Sequence, residues 1–305
     1  MHISKASGTA CIIAASLATD YHDPRRQALV PKLAADLAPY FLKTCGAPVY
    51  FFAPFIGGRW LRFVTRCLES LLMPGLSLHY LVRKKFIEDA AHDVLERGFV
   101  RQMVVLGAGF DTLALRLHRL YPGVQFLELD HPATQQAKQS GLIGHFPLDS
   151  NMHFLPVDFT QHSLEEVLLG SATYDPSLDT LFIAEGILVY LREAEVKKIF
   201  HFIRSHSGAQ SLFVFSFMEY APNGKLEFQK PNAFVDYWLK KGDELFLWGI
   251  QKQKLQNFLT PLGFVLKDLG DSELFRKRYL KGENATETLI SGECVAITTT
   301  QTTEQ

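Results

Sequence analysis

The feature that most constrains the fold is a series of short apolar runs between residues 100 and 217. Each run is long enough for a strand and too short for a helix, and helical stretches lie between several of them. Continuous apolar runs are typical of strands buried on both faces, and alternation with helices predicts a parallel sheet covered on both sides. The runs are 103–106, 126–130, 153–157, 180–184 and 211–217.

Two further strands complete the predicted sheet. An aromatic insert at 220–250 is followed by a helix at 251–260 and by apolar runs at 264–269 and 294–299. The seven runs predict one α/β domain with a doubly wound, Rossmann-like, seven-stranded and mostly parallel sheet. We assign residues 99–300 to this core, interpret the insert as a lid, and treat residues 301–305 as a tail.

The first hundred residues predict a helical cap, 1–98, that belongs to the same domain. The apolar stretch 11–18 superficially resembles a signal peptide. We interpret it as a first helix that packs on the body, because the basic region before it is thin and residues 19–24 resemble a helix end and a turn. Breaks at proline and glycine separate candidate helices at 6–18, 31–43, 59–73 and 79–97.

Composition excludes some classes of protein. A hydrophobic content of 47% with 12% aromatic residues excludes disorder for the bulk of the chain. The formal net charge of −1 argues against a nucleic-acid partner. No apolar run reaches the roughly 18 residues of a membrane span. Arg59, Arg62 and Arg66 recur at helical spacing, which predicts a solvated basic face.

The four cysteines lie far apart in the sequence, and none forms a C-x-x-C pair. We therefore predict reduced thiols in a cytoplasmic protein, with neither a disulfide framework nor a zinc site. The eleven histidines include no H-x-x-x-H pair and none lies within four residues of a cysteine, so the spacing predicts no metal.

Candidate ligand-binding residues follow the predicted strands, where open α/β sheets bind their ligands. Gly107-Ala108-Gly109 closes the first strand and lets a ligand approach the backbone. The second strand ends in Glu128-Leu-Asp130, which is placed to bind ribose hydroxyls.

The remaining strand ends define the kind of ligand. Asp158 and Phe159 follow the third strand and suit an adenine edge and ring face, and Glu185 follows the fourth. Thr112 stands where a dinucleotide fingerprint requires its third glycine. A nucleoside site rich in acids and without phosphate-binding features favours S-adenosylmethionine, a sulfonium cation, over NAD.

These motifs also carry a family resemblance. In chain order they are Arg83, Leu106-Gly-Ala-Gly-Phe-Asp-Thr112, Leu127-Glu-Leu-Asp130-His-Pro132, Pro156-Val-Asp158 and Ala184-Glu-Gly-Ile-Leu-Val-Tyr-Leu191. Together they closely resemble the leucine carboxyl methyltransferase family, in its broad and largely bacterial branch, over about residues 5–217. The resemblance implies a class I methyltransferase that uses S-adenosylmethionine and releases S-adenosylhomocysteine.

The resemblance also implies residue roles. Arg83 would bind the methionine carboxylate of the cofactor, and Gly107 and Gly109 its methionine end. Asp130 would bind the ribose, and Glu185 would lie beside the sulfonium and the acceptor. Asp158 and Phe159 would contact the adenine. The family commonly has Arg-Thr-Arg where this chain has Arg83-Lys84-Lys85.

We predict transfer of a methyl group to an oxygen, most plausibly a carboxylate of a small molecule or a protein. A carboxylate is already ionised at neutral pH, whereas a hydroxyl acceptor would need a base, for which Glu185 and Tyr190 are candidates. Two alternatives stay open: a nicotinamide-dependent oxidoreductase, and a nucleoside-binding protein without turnover. The insert supplies candidate lid aromatics at Phe228, Phe234, Tyr237, Trp238, Phe246 and Trp248.

Overall fold

The computed structural model describes residues 7–45, 58–159, 161–221, 223–228 and 246–301. Within them, four helices precede the sheet: α1 (Gly8–Tyr21), α2 (Lys32–Thr44), α3 (Arg59–Leu72) and α4 (Leu76–Glu96). Each corresponds to a helix predicted from the sequence. Helix α1 begins where the Ser7 side chain accepts a hydrogen bond from the backbone N–H of Ala10, and it packs along α2.

The described residues form one seven-stranded sheet in the order β3-β2-β1-β4-β5-β7-β6. Strand β7 runs antiparallel to both of its neighbours, and the other adjacent strands are parallel. The predicted doubly wound, mostly parallel sheet is therefore confirmed. The strands are β1 (Gln102–Leu106), β2 (Gln125–Asp130), β3 (Met152–Pro156), β4 (Thr180–Ala184), β5 (Leu212–Met218), β6 (Phe264–Gly270) and β7 (Glu293–Thr300).

Both faces of the sheet are buried, which explains the uninterrupted apolar runs. Along β1, Met103 and Val105 join the core beneath the N-terminal helices, whereas Val104 and Leu106 join the core on the opposite face. Alternate residues of a strand point to opposite faces, so the positions of a central strand are mostly apolar on both faces.

Helices connect the strands on both faces. They are α5 (Leu113–Leu117), α6 (Pro132–Leu142), α7 (Leu164–Leu169), α8 (Glu193–Ser205), α9 (Leu255–Leu259) and α10 (Ser272–Tyr279). The sequence analysis missed α10, because Phe275 is its one buried residue and no apolar stripe reveals it. The sequence nevertheless contains an N-cap residue for α10, Asp271, whose carboxylate accepts a hydrogen bond from the backbone N–H of Leu274 at 2.9 Å. No described helix is both long and apolar enough to cross a membrane.

Two arginines of helix α3, Arg62 and Arg66, are paired with other parts of the protein, which contradicts the predicted solvated basic face at these two positions. Arg62 donates a hydrogen bond to the backbone carbonyl of His22, and Arg66 forms an ion pair with Asp23. Trp60 and Phe63 of the same helix are instead 76% and 68% exposed. The prediction failed because helical spacing indicates only that the arginines share one face of the helix. It does not indicate whether that face points towards solvent or towards the protein.

The prediction of reduced thiols was wrong for two of the four cysteines. Cys11 on α1 and Cys45 after α2 form a disulfide, with 6.1 Å between their Cα atoms. Residues 34 apart in sequence become neighbours because α1 and α2 pack side by side. Cys67 and Cys294 are free. The predicted cytoplasmic location loses the support of the thiol argument and stays a prediction.

Removing the disulfide should destabilise the fold, because the crosslink limits the conformations of the unfolded chain. Changing both Cys11 and Cys45 to Ser is expected to lower the free energy of unfolding by about 2–4 kcal/mol, measured by urea titration without reductant. Cys67→Ser is the matched control and should stay within about 0.5 kcal/mol of the parent protein, because Cys67 is exposed and unpaired. Equal stability of the double variant and the parent would contradict the crosslink.

Candidate functional site

A cavity of about 280 Å³ lies at the carboxyl ends of β1, β2 and β4. Helices α1 and α4 of the N-terminal region form another part of its wall. The wall brings together seven of the residues predicted to be catalytic or cofactor-binding, which are Arg83, Gly107, Ala108, Gly109, Asp130, Glu185 and Tyr190. The roles assigned to them stay predictions.

The loop after β1 requires glycine for two reasons. Gly107 and Gly109 have φ angles of +67° and +50°, a region that other residues rarely adopt. A Cβ atom on Gly107 would also lie 2.6 Å from Cδ1 of Ile187, so that the Ile187 side chain would have to shift. The loop therefore presents backbone to the cavity.

Asp130 is the acid that β2 directs into the cavity. Its Oδ2 accepts a hydrogen bond from the backbone N–H of Gly109, and its Oδ1 accepts one from the backbone N–H of His131, both at 2.6 Å. Burial raises the pKa of Asp130 above its ordinary value, although these two N–H groups oppose that shift. The carboxylate is thus fixed in orientation, and each oxygen keeps a lone pair for a further donor.

An arginine buried between two carboxylates forms another part of the wall. Arg83 on α4 donates from Nη2 to Oε1 of Glu185 at 2.8 Å, and from Nη1 to both oxygens of Glu293 at 2.7 and 2.5 Å. The side chains are less than 10% exposed. Burial opposes the charge on Arg83, but Glu293 and Glu185 raise its pKa above the ordinary value.

Lys84 and Asp111 extend this charged cluster. The Lys84 Nζ lies 2.9 Å from Oε2 of Glu185 and 3.4 Å from Oδ1 of Asp111. Burial alone would raise the pKa of Asp111, but Lys84 and other nearby cations hold it below its ordinary value. Lys84 is one of the two residues, with Lys85, at which the chain departs from the Arg-Thr-Arg of the resembled family, and it faces this cavity.

Glu293 and its partner His79 were missed in the sequence. The Nε2 of His79 lies 3.0 Å from Oε2 of Glu293, and both side chains are almost fully buried. Burial would raise the pKa of Glu293, but Arg83 and His79 lower it to about 2. No sequence motif marks this acid, because it begins the reversed strand β7 while the search covered residues after parallel strands.

Glu128, the other acid predicted on β2, does not line the cavity. It is 1% exposed and forms an ion pair with Lys138 at 2.6 Å. Burial raises its pKa to about 7, against the opposing effect of Lys138. Lys138 also donates a hydrogen bond to the backbone carbonyl of Asp111 at 2.5 Å. Glu128 therefore stabilises the loop after β1 indirectly, through Lys138.

Asp158 and Phe159 also lie outside the cavity wall as the structure shows it. Asp158 accepts a hydrogen bond from Nε2 of Gln161 at 2.8 Å, and Phe159 packs against the sheet core. Their roles at the adenine stay predictions.

The lid aromatics divide into three groups. Phe228 and Phe246 line the cavity, and their ring centroids are 6.2 Å apart. Trp248 is 3% exposed and packs on Phe258, with centroids 5.6 Å apart, so it is a core residue. Phe234, Tyr237 and Trp238 lie outside the described residues. Within the described part, no group of three or more His, Cys, Asp or Glu side chains could hold a metal ion.

Comparison with solved structures defines the class of fold. A "putative methyltransferase" from Thermobifida fusca aligns with 88% of this chain and 94% of its own, with a TM-score of 0.59 and 14% identity. At that identity the likeness concerns the fold alone. The sheet order with its reversed β7, together with this likeness, identifies the class I methyltransferase fold.

Sequence comparison then gives the family. The model for leucine carboxyl methyltransferase matches residues 50–204, just over half of the chain. The chain belongs to the leucine carboxyl methyltransferase family.

Two curated relatives show how far the similarity extends. Bacillus subtilis YktD, described as a "Putative S-adenosyl-L-methionine-dependent methyltransferase", is 31% identical over 179 residues, 56% of each protein. A Mycobacterium avium protein with the same description is 25% identical over 230 residues, 72% of each. The chain spans about half the length of the curated relatives that it matches at 31% identity.

The depressed pKa of Glu293 predicts a loss of stability in acid. A carboxylate whose folded pKa of about 2 lies below its ordinary 4.5 stabilises the fold above pH 4.5 and loses this contribution as the pH falls towards 2. The difference corresponds to about 3 kcal/mol at most. Urea unfolding at pH 5 and pH 2.5 should therefore show a smaller acid loss for Glu293→Gln than for the parent protein.

Glu193→Gln is the control for this experiment, because the Glu193 side chain is 59% exposed and its pair with Lys197 lies on the surface. It should follow the parent protein at both pH values. An acid loss for Glu293→Gln as large as that of the parent would show that Glu293 is not held ionised by Arg83 and His79.

Proposed function

We propose that the protein transfers a methyl group from S-adenosylmethionine to an oxygen of its acceptor, most plausibly a carboxylate. The observation that carries this proposal is the meeting of the glycine loop, Asp130 and Glu185 in one cavity at the carboxyl ends of three parallel strands. Family membership supports it, as do the descriptions of YktD and the Mycobacterium protein.

The donor set of the cavity suits the cofactor. Asp130 offers fixed carboxylate lone pairs for ribose hydroxyls, and the backbone at Gly107 and Gly109 is accessible at close range. In the opposite wall, the three acids Glu185, Glu293 and Asp111 face the two cations Arg83 and Lys84, and this formal excess of one negative charge favours a sulfonium cation. When bound, S-adenosylmethionine would supply an electrophilic methyl group.

The role implied for Arg83 needs one adjustment. Its guanidinium is engaged by Glu185 and Glu293. Binding of a cofactor carboxylate by Arg83 therefore requires that the guanidinium share or exchange one of these partners. We propose that Arg83 also orients Glu185, whose second oxygen pairs with Lys84 at 2.9 Å.

Methyl transfer to a carboxylate acceptor does not require a general acid or a general base from the protein. The acceptor oxygen supplies the electron pair of the new O–CH₃ bond, the pair of the broken S–CH₃ bond stays on sulfur, and no proton moves. An anion and a cation become two neutral products, so alignment and exclusion of water contribute most. Tyr190, Phe228 and Phe246 line the cavity and would exclude water there.

The alternatives are less well supported. A nicotinamide-dependent oxidoreductase would need a pyrophosphate site, but Thr112 replaces the third glycine of that motif and is buried. A nucleoside-binding protein without turnover is less well supported because the curated relatives are described as methyltransferases. Calorimetric titration with S-adenosylmethionine and with NAD separates a methyltransferase from an oxidoreductase, and binding of NAD alone would overturn our proposal. Turnover, which a binding protein would lack, is tested by the label-transfer assay described below.

Asp130→Ala should weaken cofactor binding, because it removes charged hydrogen bonds to the ribose. We expect a loss of about 1–3 kcal/mol, or a roughly 5- to 150-fold higher Kd for S-adenosylmethionine, measured by calorimetry. Asp149→Ala is the control and should change the Kd less than twofold, because the Asp149 side chain is 58% exposed and lies outside the cavity. An unchanged Kd for Asp130→Ala would remove Asp130 from the cofactor site.

The nature of the acceptor oxygen can be tested with Tyr190→Phe. Pure protein is incubated with methyl-labelled S-adenosylmethionine and lysate fractions, and base-labile label reports a methyl ester. With a carboxylate acceptor, Tyr190→Phe should keep its rate within about tenfold of the parent, because no base is needed, whereas removal of a required general base costs about 10²–10⁴-fold.

Glu185→Gln serves as the companion variant in that assay. It should lower turnover more than cofactor affinity, because the neutral amide no longer pairs with Arg83 and Lys84 beside the reacting atoms. Base-stable label, together with a collapse of the rate in Tyr190→Phe, would show that the acceptor is a hydroxyl.

A further inference from the structure

A second cavity of about 470 Å³ adjoins the first. The two share four aromatic residues, which we call the aromatic collar: Tyr80, Tyr190, Phe228 and Phe246. Thr9 and Ile13 of α1 also line both. A molecule in the second cavity would therefore pass the aromatic collar to reach the first cavity, which we propose binds the cofactor and call the cofactor cavity.

The wall of the second cavity is mostly apolar. Helices α1 and α3 form its two sides, and the chain between α3 and α4 closes one end. A wall of this kind gains free energy by covering hydrocarbon and offers little to polar groups. Its aliphatic members include Ile12, Ala15, Leu68, Leu72, Met73 and Leu76.

The charged groups in this wall already have partners within the protein. Asp20 pairs with Arg26 at 2.9 Å, and Arg66 pairs with Asp23. Glu69 accepts hydrogen bonds from the backbone N–H and the hydroxyl of Ser77, at 3.0 and 2.8 Å. These charged side chains therefore stabilise the packing of the helices and are not available to pair with a ligand.

We propose that the second cavity is the acceptor site, and that the acceptor is a small apolar carboxylic acid. Its hydrocarbon body would fill the cavity, and its carboxylate would meet the cofactor cavity at the aromatic collar. This inference rests on the proposed methyl transfer and adds the acceptor class to it.

A small molecule fits this cavity better than a protein terminus does. Each residue of a bound peptide brings a backbone N–H and a carbonyl that need partners once they leave water. The apolar wall with its paired charges supplies few, whereas an alkyl or aryl body needs none. The volume of about 470 Å³ lies within the range of small-molecule sites.

The test is a chain-length series. Straight-chain carboxylates from butanoate to dodecanoate are titrated calorimetrically into the full-length protein in the presence of S-adenosylhomocysteine. Affinity should rise about fourfold for each methylene that enters the cavity and then level off. A hexapeptide ending in leucine, with a free carboxylate, is titrated in parallel and should bind more weakly than dodecanoate.

A matched pair of variants places the binding in this cavity. Leu72 lines it, whereas the adjacent Leu71 is 74% exposed and does not. Leu72→Trp should weaken dodecanoate binding at least tenfold and change butanoate binding less than twofold. Leu71→Trp should leave both within twofold of the parent protein. If Leu72→Trp does not fold, Ala15→Leu narrows the cavity from the α1 side and should act in the same direction.

The outcomes separate this inference from the methyl-transfer proposal. Affinity that does not depend on chain length, tighter binding of the hexapeptide, or an equal effect of the two tryptophan variants would overturn the inference, while cofactor binding could still stand. Length-dependent binding without binding of S-adenosylmethionine would support the cavity assignment and overturn methyl transfer.

Discussion

The site depends on one buried arginine. Arg83 connects α4 to the end of β4 through Glu185 and to the start of β7 through Glu293. Removing one partner of such a cluster would leave an uncompensated buried charge, which costs several kcal/mol. The three elements are therefore held in one arrangement, and the first cavity lies between them.

The reversed strand explains why this cluster has two acids. Parallel strands end at the edge of the sheet where ligands bind, but an antiparallel strand begins there. The first residue of β7 thus enters the site that the last residues of β1, β2 and β4 define. Asp130 and Glu185 can be found in the sequence because they stand at the carboxyl ends of predicted strands. Glu293 cannot, because an apolar run does not indicate the direction in which its strand crosses the sheet.

The sequence predicted the sheet and the glycine loop well, because burial on both faces and a positive φ each leave a local signature. It could not separate Glu128 from Asp130. Both belong to β2, yet one meets Lys138 in the interior and the other meets backbone N–H groups at the cavity. The Cys11–Cys45 bond and the contacts of Arg62 and Arg66 also depend on how the helices pack against the rest of the protein, which the sequence pattern of each helix does not specify.

Helix α1 is a common wall of both cavities, and its Ala10 lies close to Gly109 of the glycine loop. A substitution on the inner side of α1 would therefore alter both cavities together. Helix α3, in contrast, contributes to the second cavity and not to the first. If the two cavities have the roles proposed above, acceptor preference among related chains would diverge through α3, whose side chains can change without altering the wall of the first cavity.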